Sequence, residues 1–254
     1  MSGNEVHPDL RRIAVVTPRQ LVGPRTLPVM RALIVVAGLR MSRTPPDIEV
    51  LTLESGVGVR LYRPAGSNEP APALLWIHAG GYVMGTAQQD DRLCLRFSSR
   101  LGITVASVDY RLAPENPYPA ALGDCYSALT WLASLPAVDP ARVHYRLWNG
   151  RANRFGWRAY LGDADARVAV PGRRDDLGGL APAWIGVGTH DLLHDEDLAY
   201  AERLTAAGVP CQVEVVEGAF HGFDRVAPNV GVSQRFFTSQ CNSLRAALAL
   251  SNRT

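Results

Sequence analysis

Short apolar runs alternate with stretches of helical spacing along most of this chain. Residues 49–54 and 57–62 read as the two arms of a β-hairpin. Residues 71–78 form a short apolar run, the signature of a strand buried on both faces. Residues 90–101 have helical spacing, and 103–109 read as another buried strand. Over 119–135, the apolar residues Ala121, Leu122, Cys125, Ala128, Leu129 and Leu132 fall at helical intervals. Further on, the pattern predicts a strand at 183–187, a helix at 195–207 stopped by Gly208, a strand at 211–216, and a terminal helix at 232–250. Strands alternating with helices predict an α/β fold with a doubly wound, mostly parallel sheet.

Two regions depart from this rhythm. Residues 1–48 read as a helical N-terminal cap, broken by Pro18, Pro24 and Pro28 and ended by Pro45-Pro46, ahead of the main domain at 49–254. Its most apolar stretch, 27–39, is interrupted by Arg31 and is too short for the roughly 20 apolar residues a membrane span requires. We read it as a helix packed on the domain; contact of its apolar face with a lipid substrate or membrane surface is the alternative. The second region, 144–182, holds Trp148, Phe155, Trp157 and Tyr160 but no convincing buried strand.

Composition narrows the function. A length of 254 residues suits one large α/β domain, and 47% hydrophobic with 20% charged residues is ordinary for a globular protein. A net charge of +2 without clustered basic residues gives no electrostatic case for nucleic acid. Cys94, Cys125, Cys211 and Cys241 are far apart and form no C-x-x-C, so a reduced cytoplasmic setting is expected. Residues 1–9 lack the basic start and apolar run of a signal peptide.

Ester hydrolysis by a serine enzyme needs a nucleophile, a base, an acid that orients the base, and donors for the oxyanion. His78-Ala79-Gly80-Gly81-Tyr82-Val83-Met84-Gly85 follows a predicted buried strand. Its consecutive glycines let backbone N–H groups approach a developing negative charge, where a side chain would intrude. A plain Gly-rich turn after a strand is the other reading. Asp191 and His221 stand downstream in the order acid, then base. No Gly-x-Ser-x-Gly sequence lies between the loop and Asp191, or anywhere else.

These residues carry a resemblance. The His78–Gly85 loop resembles the H-G-G-G loop of the hormone-sensitive-lipase-like family of α/β-hydrolase esterases. Asp109-Tyr110-Arg111-Leu112-Ala113-Pro114-Glu115 matches the family's D-Y-R-L-A-P-E signature. The segment from Gly188 to Glu196 resembles its G-x-x-D-P-L-x-D-E, and Phe220-His221-Gly222-Phe223 matches its H-G-F. The resemblance implies an α/β-hydrolase-type fold with Gly80 and Gly81 as oxyanion donors and His78 bracing the loop. It implies Asp191 as the triad acid, His221 as the base, and structural roles for Asp109 and Arg111. The implied partner is a small-molecule ester or lipid-like ligand, with no cofactor or metal. Oligomeric state is left open.

Ala79 and Leu192 are minor departures, in place of a glycine and a proline. The third is large. After the segment resembling Asp139-Pro140-Ala141-Arg142-Val143, the family continues with a strand, G-D-S-A-G-G, a helix and another strand. Here Val143 runs directly into His144-Tyr145-Arg146-Leu147-Trp148-Asn149, which resembles sequence well after that helix. The nucleophile-elbow strand and helix are read as deleted at 143–144, since such a unit needs about 30 residues or more. Between Val143 and His190 there is no serine or cysteine. Upstream, Cys125 in Gly123-Asp124-Cys125-Tyr126-Ser127 lies inside a predicted helix and is read as core, and Ser107 lies in a buried strand.

His190 and His194 have a spacing that can bind zinc on a helix, but they straddle a strand end and a helix start. The acidic Asp195, Glu196 and Asp197 equally suit a helix N-terminus. No metal site is assigned. The expectation is a carboxylesterase relative of the short-acyl-ester type, inactive or severely impaired; a non-catalytic binding protein reusing the pocket is the alternative. Loss of central strands predicts a destabilised fold or a re-paired smaller sheet, with the 103–109 strand lacking a neighbour unless the 183–187 strand closes the gap.

Overall fold

The computed structural model describes residues 6–16, 25–40, 47–64, 71–136, 138 and 159–249. The junction at Val143–His144 and the aromatic stretch from Trp148 through Trp157 lie outside the described residues. The chain divides into two compact units. The first comprises Val22–Leu147, Arg154–Ala164 and Arg245–Thr254; the second comprises Met1–Leu21, Trp148–Asn153 and Asp165–Leu244.

In the first unit, β1 (Ile48–Thr52) and β2 (Gly58–Tyr62) form the expected antiparallel hairpin, with Ile48 opposite Tyr62 and Thr52 opposite Gly58. The sheet order is β1-β2-β4-β3, with β3 spanning Ala73–Ile77 and β4 spanning Thr104–Asp109. β2 and β4 are antiparallel, whereas β3 and β4 are parallel. All five residues of β3 and the first five of β4 are buried, which is why both segments are apolar without alternation. The order corrects one expectation. The 103–109 strand has neighbours on both sides, because β3 crosses to its far side. Among the described residues β3, not β4, is the last strand of the ladder, and the strand beginning at Ala183 pairs in a separate sheet.

α2 (Leu27–Arg40) belongs to this unit, as do α3 (Asp91–Leu101) and α4 (Ala120–Ser134). α3 buries Cys94, Phe97, Ser98 and Leu101 and stops at Gly102, whose left-handed φ of 68° closes the helix. Where α3 meets the sheet, Arg60 and Asp91 form a buried two-pronged ion pair. Arg60 Nε and Nη2 donate to the Asp91 oxygens at 2.7 Å each, and Tyr62 Oη donates to Oδ1 at 2.8 Å. Trp76 Nε1 donates to the buried Asp90 at 2.8 Å.

The second unit is built on two parallel strands, β5 (Ala183–His190) and β6 (Cys211–Phe220). They are joined by α5 (His194–Ala206), whose first turn carries Asp195, Glu196 and Asp197 near the positive end of its dipole. α1 (Arg11–Val16) belongs to the same unit, as does α6 (Gly231–Ala247) through Leu244. Trp184, Ala219, Phe223, Val232 and Phe236 pack into one cluster with Leu10 from the N-terminal segment. The residues of the predicted cap thus fall in both units. Over 159–182 the structure contains short helical turns and no strand. No helix among the described residues is long and apolar enough to cross a membrane.

Candidate functional site: an oxyanion-type loop and an acid–base pair

β3 delivers the chain into the His78–Gly85 loop. The buried His78 ring stacks on Tyr110 with centroids 4.1 Å apart, and Tyr110 Oη donates to the His78 carbonyl at 2.9 Å. Burial holds the Tyr110 phenol well above its usual pKa, so it remains a donor. His78 Nδ1 lies 2.9 Å from the Ala79 carbonyl, which can only accept, so Nδ1 carries the proton. Gly80, Gly81 and Gly85 have φ of 138°, 56° and 106°. A Cβ on Gly80 would overlap the Met84 carbonyl, and one on Gly85 would lie 2.5 Å from the Ala79 oxygen. Glycine is therefore required at both. Ala79 has no such left-handed backbone, so its methyl group is accommodated.

The Gly80 carbonyl accepts from Val83 N and Met84 N, each at 3.1 Å, which folds the loop back on itself. The N–H groups of Gly80 and Gly81 donate to no group among the described residues, although both glycines are buried. Buried amides are rarely left unpaired without a reason. Tyr82 adds strain: it holds a left-handed φ of 63° and stacks on Tyr160 at 4.2 Å.

Three neighbouring segments fix the loop. Gln89 Nε2 donates to the Ala79 carbonyl at 2.9 Å, and Ala113 N donates to the Tyr82 carbonyl at 2.8 Å. Arg31, from α2, is the clamp that sequence reasoning missed. Its Nε donates to the Val83 carbonyl at 2.7 Å, and its Nη2 donates to the Ala113 carbonyl at 2.6 Å. The same guanidinium meets both oxygens of Glu115 at 2.7 and 3.0 Å. In sequence, Arg31 is only an interruption of an apolar run; nothing nearby names a partner 52 or 84 residues away. Asp109 Oδ1 accepts from Ala87 N at 2.8 Å, and Arg111 is tied to the buried Asp124 through Nε and Nη2.

The second unit holds the expected acid and base, Asp191 and His221. Asp191 follows β5 and His221 follows β6, so parallel pairing brings both to the same strand ends. His221 Nδ1 lies 2.8 Å from Asp191 Oδ2. A carboxylate oxygen only accepts, so Nδ1 carries the proton and Nε2 is left with a lone pair in the neutral ring. Asp191 Oδ1 accepts from Leu193 N at 3.0 Å, fixing the carboxylate plane. Gly188 permits this approach, since a Cβ there would overlap the Ala219 carbonyl. Gly222, with φ 69°, turns the chain immediately after His221. Leu192, in the place of the family's proline, is 61% exposed and meets no steric demand.

The structure thus joins Asp191 to His221, and gathers His78, Gly80 and Gly81 in one loop. The loop and the pair belong to different units. Such a loop can hold an oxyanion, and such a pair can take and return a proton. Three upstream candidates, Cys125, Ser107 and Ser98, are placed as poor nucleophiles. Cys125 is 6% exposed inside α4, and burial, reinforced by the Asp124 charge, pushes its thiol up to about 12. Ser107 is fully buried in β4, and the buried Ser98 donates to the Ile103 carbonyl at 2.9 Å. His194 Nδ1 sits 2.8 Å from Asp195 Oδ1. Among the described residues, no three His, Cys, Asp or Glu side chains are grouped to hold a metal ion.

Comparison with known proteins agrees with this architecture. The family model described as alpha/beta hydrolase fold matches residues 74–145 and 137–225, more than half of the chain. Esterase LipI of Mycobacterium tuberculosis is 30% identical over 242 aligned positions, covering 70% of this chain and 76% of that protein. Ethyl acetate hydrolase of Pseudomonas putida is 31% identical over 228 positions, covering 66% of this chain and 71% of that protein. The crystal structure of esterase LipW from Mycobacterium marinum superposes with a TM-score of 0.82 at 31% identity, covering 97% of each chain. The chain belongs to the hormone-sensitive-lipase-like family of α/β-hydrolase esterases.

Proposed function

We propose that this chain is a carboxylic ester hydrolase by descent whose hydrolytic step is lost or severely impaired. In this reading Gly80 and Gly81 supply the oxyanion donors and His78 braces their loop. His221 is the base, oriented by Asp191. An intact relative would add a serine whose Oγ attacks the ester carbonyl as His221 Nε2 takes its proton. The observation that carries the reading is the lack of any serine or cysteine between Val143 and His190, set against an Asp191–His221 contact of 2.8 Å.

The comparisons support a missing unit over a substituted residue. The two pieces of the family match overlap at 137–145, across the Val143–His144 junction. For the LipI alignment, 70% of 254 residues is about 178, so about 64 of 242 aligned positions have no residue in this chain. That exceeds the roughly 30 residues of a strand–helix–strand unit. Removing the nucleophile of such a triad costs about a millionfold in kcat. A short acyl ester is the ligand class, supported by the name of the Pseudomonas putida relative. The four free cysteines support a reduced, cytoplasmic setting.

The purified chain, assayed with nitrophenyl acetate and butyrate and with a fluorophosphonate probe, tests this. We expect turnover no faster than in buffer, no covalent label, and no change in His221→Ala. Turnover that His221→Ala abolishes would overturn the reading. Retained ligand binding is a second reading, favoured by the Gly80 and Gly81 amides, which donate to no group among the described residues. It predicts that a short-chain ester raises the melting temperature without being consumed.

A further inference from the structure

We propose that the outward face of α2 docks on an anionic lipid surface. Helical spacing divides α2 into two faces. Leu27 is buried at 5% exposure, and Met30, Arg31 and Ile34 are half-buried on the same side. Val29, Leu33, Val35 and Val36 are 60%, 57%, 54% and 45% exposed. Val29, Leu33 and Val36 follow i, i+4, i+7 and so stand in one row. A water-facing helix surface ordinarily carries polar residues at these positions. Scattered exposed apolar residues need no explanation; a contiguous row marks a binding surface.

Charge selects the occupant. Residues 22–46 contain Arg25, Arg31, Arg40 and Arg43 and no aspartate or glutamate. Arg31 is neutralised by Glu115, leaving one arginine before the helix and two at and beyond its end. This local excess exceeds the net +2 of the entire chain. Valine and leucine side chains reach the acyl boundary of a bilayer, while flanking arginines meet lipid phosphates. A second copy is a worse occupant. Two copies meeting through this face would bring together two segments of uncompensated positive charge, with no carboxylate in either to offset it.

The two faces of α2 are linked through one helical turn. Its inner side carries Arg31, which holds the oxyanion-type loop at Val83 and Ala113. An apolar ester leaving the bilayer beside α2 would meet that loop first. Lipid docking does not depend on the hydrolase reading, because it needs no turnover.

Co-sedimentation of the full chain with phosphatidylcholine vesicles, with and without about one third phosphatidylserine, tests the proposal. The chain should pellet with the anionic vesicles, release in high salt, and ignore neutral vesicles. Leu33→Glu and Val36→Ser each remove part of the row at exposed positions, so both should melt like the parent. Leu33→Glu should lower the partition coefficient about tenfold. Arg25→Gln with Arg43→Gln should lower it about fivefold per charge. Equal binding to both vesicles, no binding, or binding that Leu33→Glu leaves unchanged overturns the proposal. So does a dimer in solution that Leu33→Glu dissociates while no vesicle binding is seen.

Discussion

Replacing Arg60 by methionine should be among the most damaging single changes in the first unit. Arg60 and Asp91 are 8% and 7% exposed and are joined by two hydrogen bonds of 2.7 Å. Methionine fills similar space but leaves the Asp91 carboxylate buried with only the Tyr62 hydroxyl, at 2.8 Å, as partner. Stranding one member of a buried pair costs about 3–5 kcal/mol. A surface pair would cost roughly 0–1 kcal/mol. At about 2–4 °C per kcal/mol for a chain of this size, the melting temperature should fall by roughly 6–20 °C. Urea titration followed by far-UV circular dichroism, together with Trp fluorescence, gives the free energy, with Trp76 reporting from β3. The double variant Arg60→Met, Asp91→Leu removes both charges and should recover most of the loss. A loss below about 1 kcal/mol for the single change would refute the argument, since the pair would then behave as solvent-screened. A double variant as unstable as the single one would show that shape, not charge, governs the site.

Other outcomes can be checked in parallel. Cys125, its thiol pushed up to about 12, should resist iodoacetamide at mildly alkaline pH until denaturant is added, as mass spectrometry of the peptide would show. The Arg31 hydrogen bond holds the Glu115 carboxylate below its usual range. Its stabilising contribution is therefore complete above the unfolded value and lost as pH falls through the lowered folded one. Amide exchange at Val83 and Ala113, corrected for intrinsic rates, should quicken in acid in the parent but not in Arg31→Gln. Gly188→Ala forces a methyl group onto the Ala219 carbonyl and should cost about 1–3 kcal/mol. The same change should erase the downfield proton resonance of the His221 Nδ1–H bonded to Asp191.

Much of the fold was legible because apolar patterning is local. The 49–62 hairpin, the buried runs that become β3 and β4, and the helix between Pro119 and Leu135 lie close to where the pattern puts them. Strand order was not legible in the same way. Burial on both faces says that β3 and β4 are interior, not which lies beyond the other. β6 extends to Phe220, past the expected Val216, because Gly218 with φ 68° lets the strand continue through an irregularity that breaks the pattern. The glycine-dependent turn of the loop and the Asp191–His221 contact were legible because the motifs that carry the resemblance fix residue type and order at those positions. Arg31 was not, since its partners are backbone carbonyls and a distant carboxylate, which leave no trace beside it in the chain.

The placement of the acid–base pair has a consequence for what its geometry signifies. Asp191 and His221 are joined to each other and held by residues of β5, β6 and the turns that follow them, about one eleventh of the chain. Among the described residues, no group upstream of Ala183 hydrogen-bonds to either side chain. Gain or loss of a segment upstream would therefore break none of the hydrogen bonds that set the pair. A pair so self-contained keeps its geometry whether or not a nucleophile stands upstream, so an intact Asp191–His221 contact is not by itself a sign of turnover.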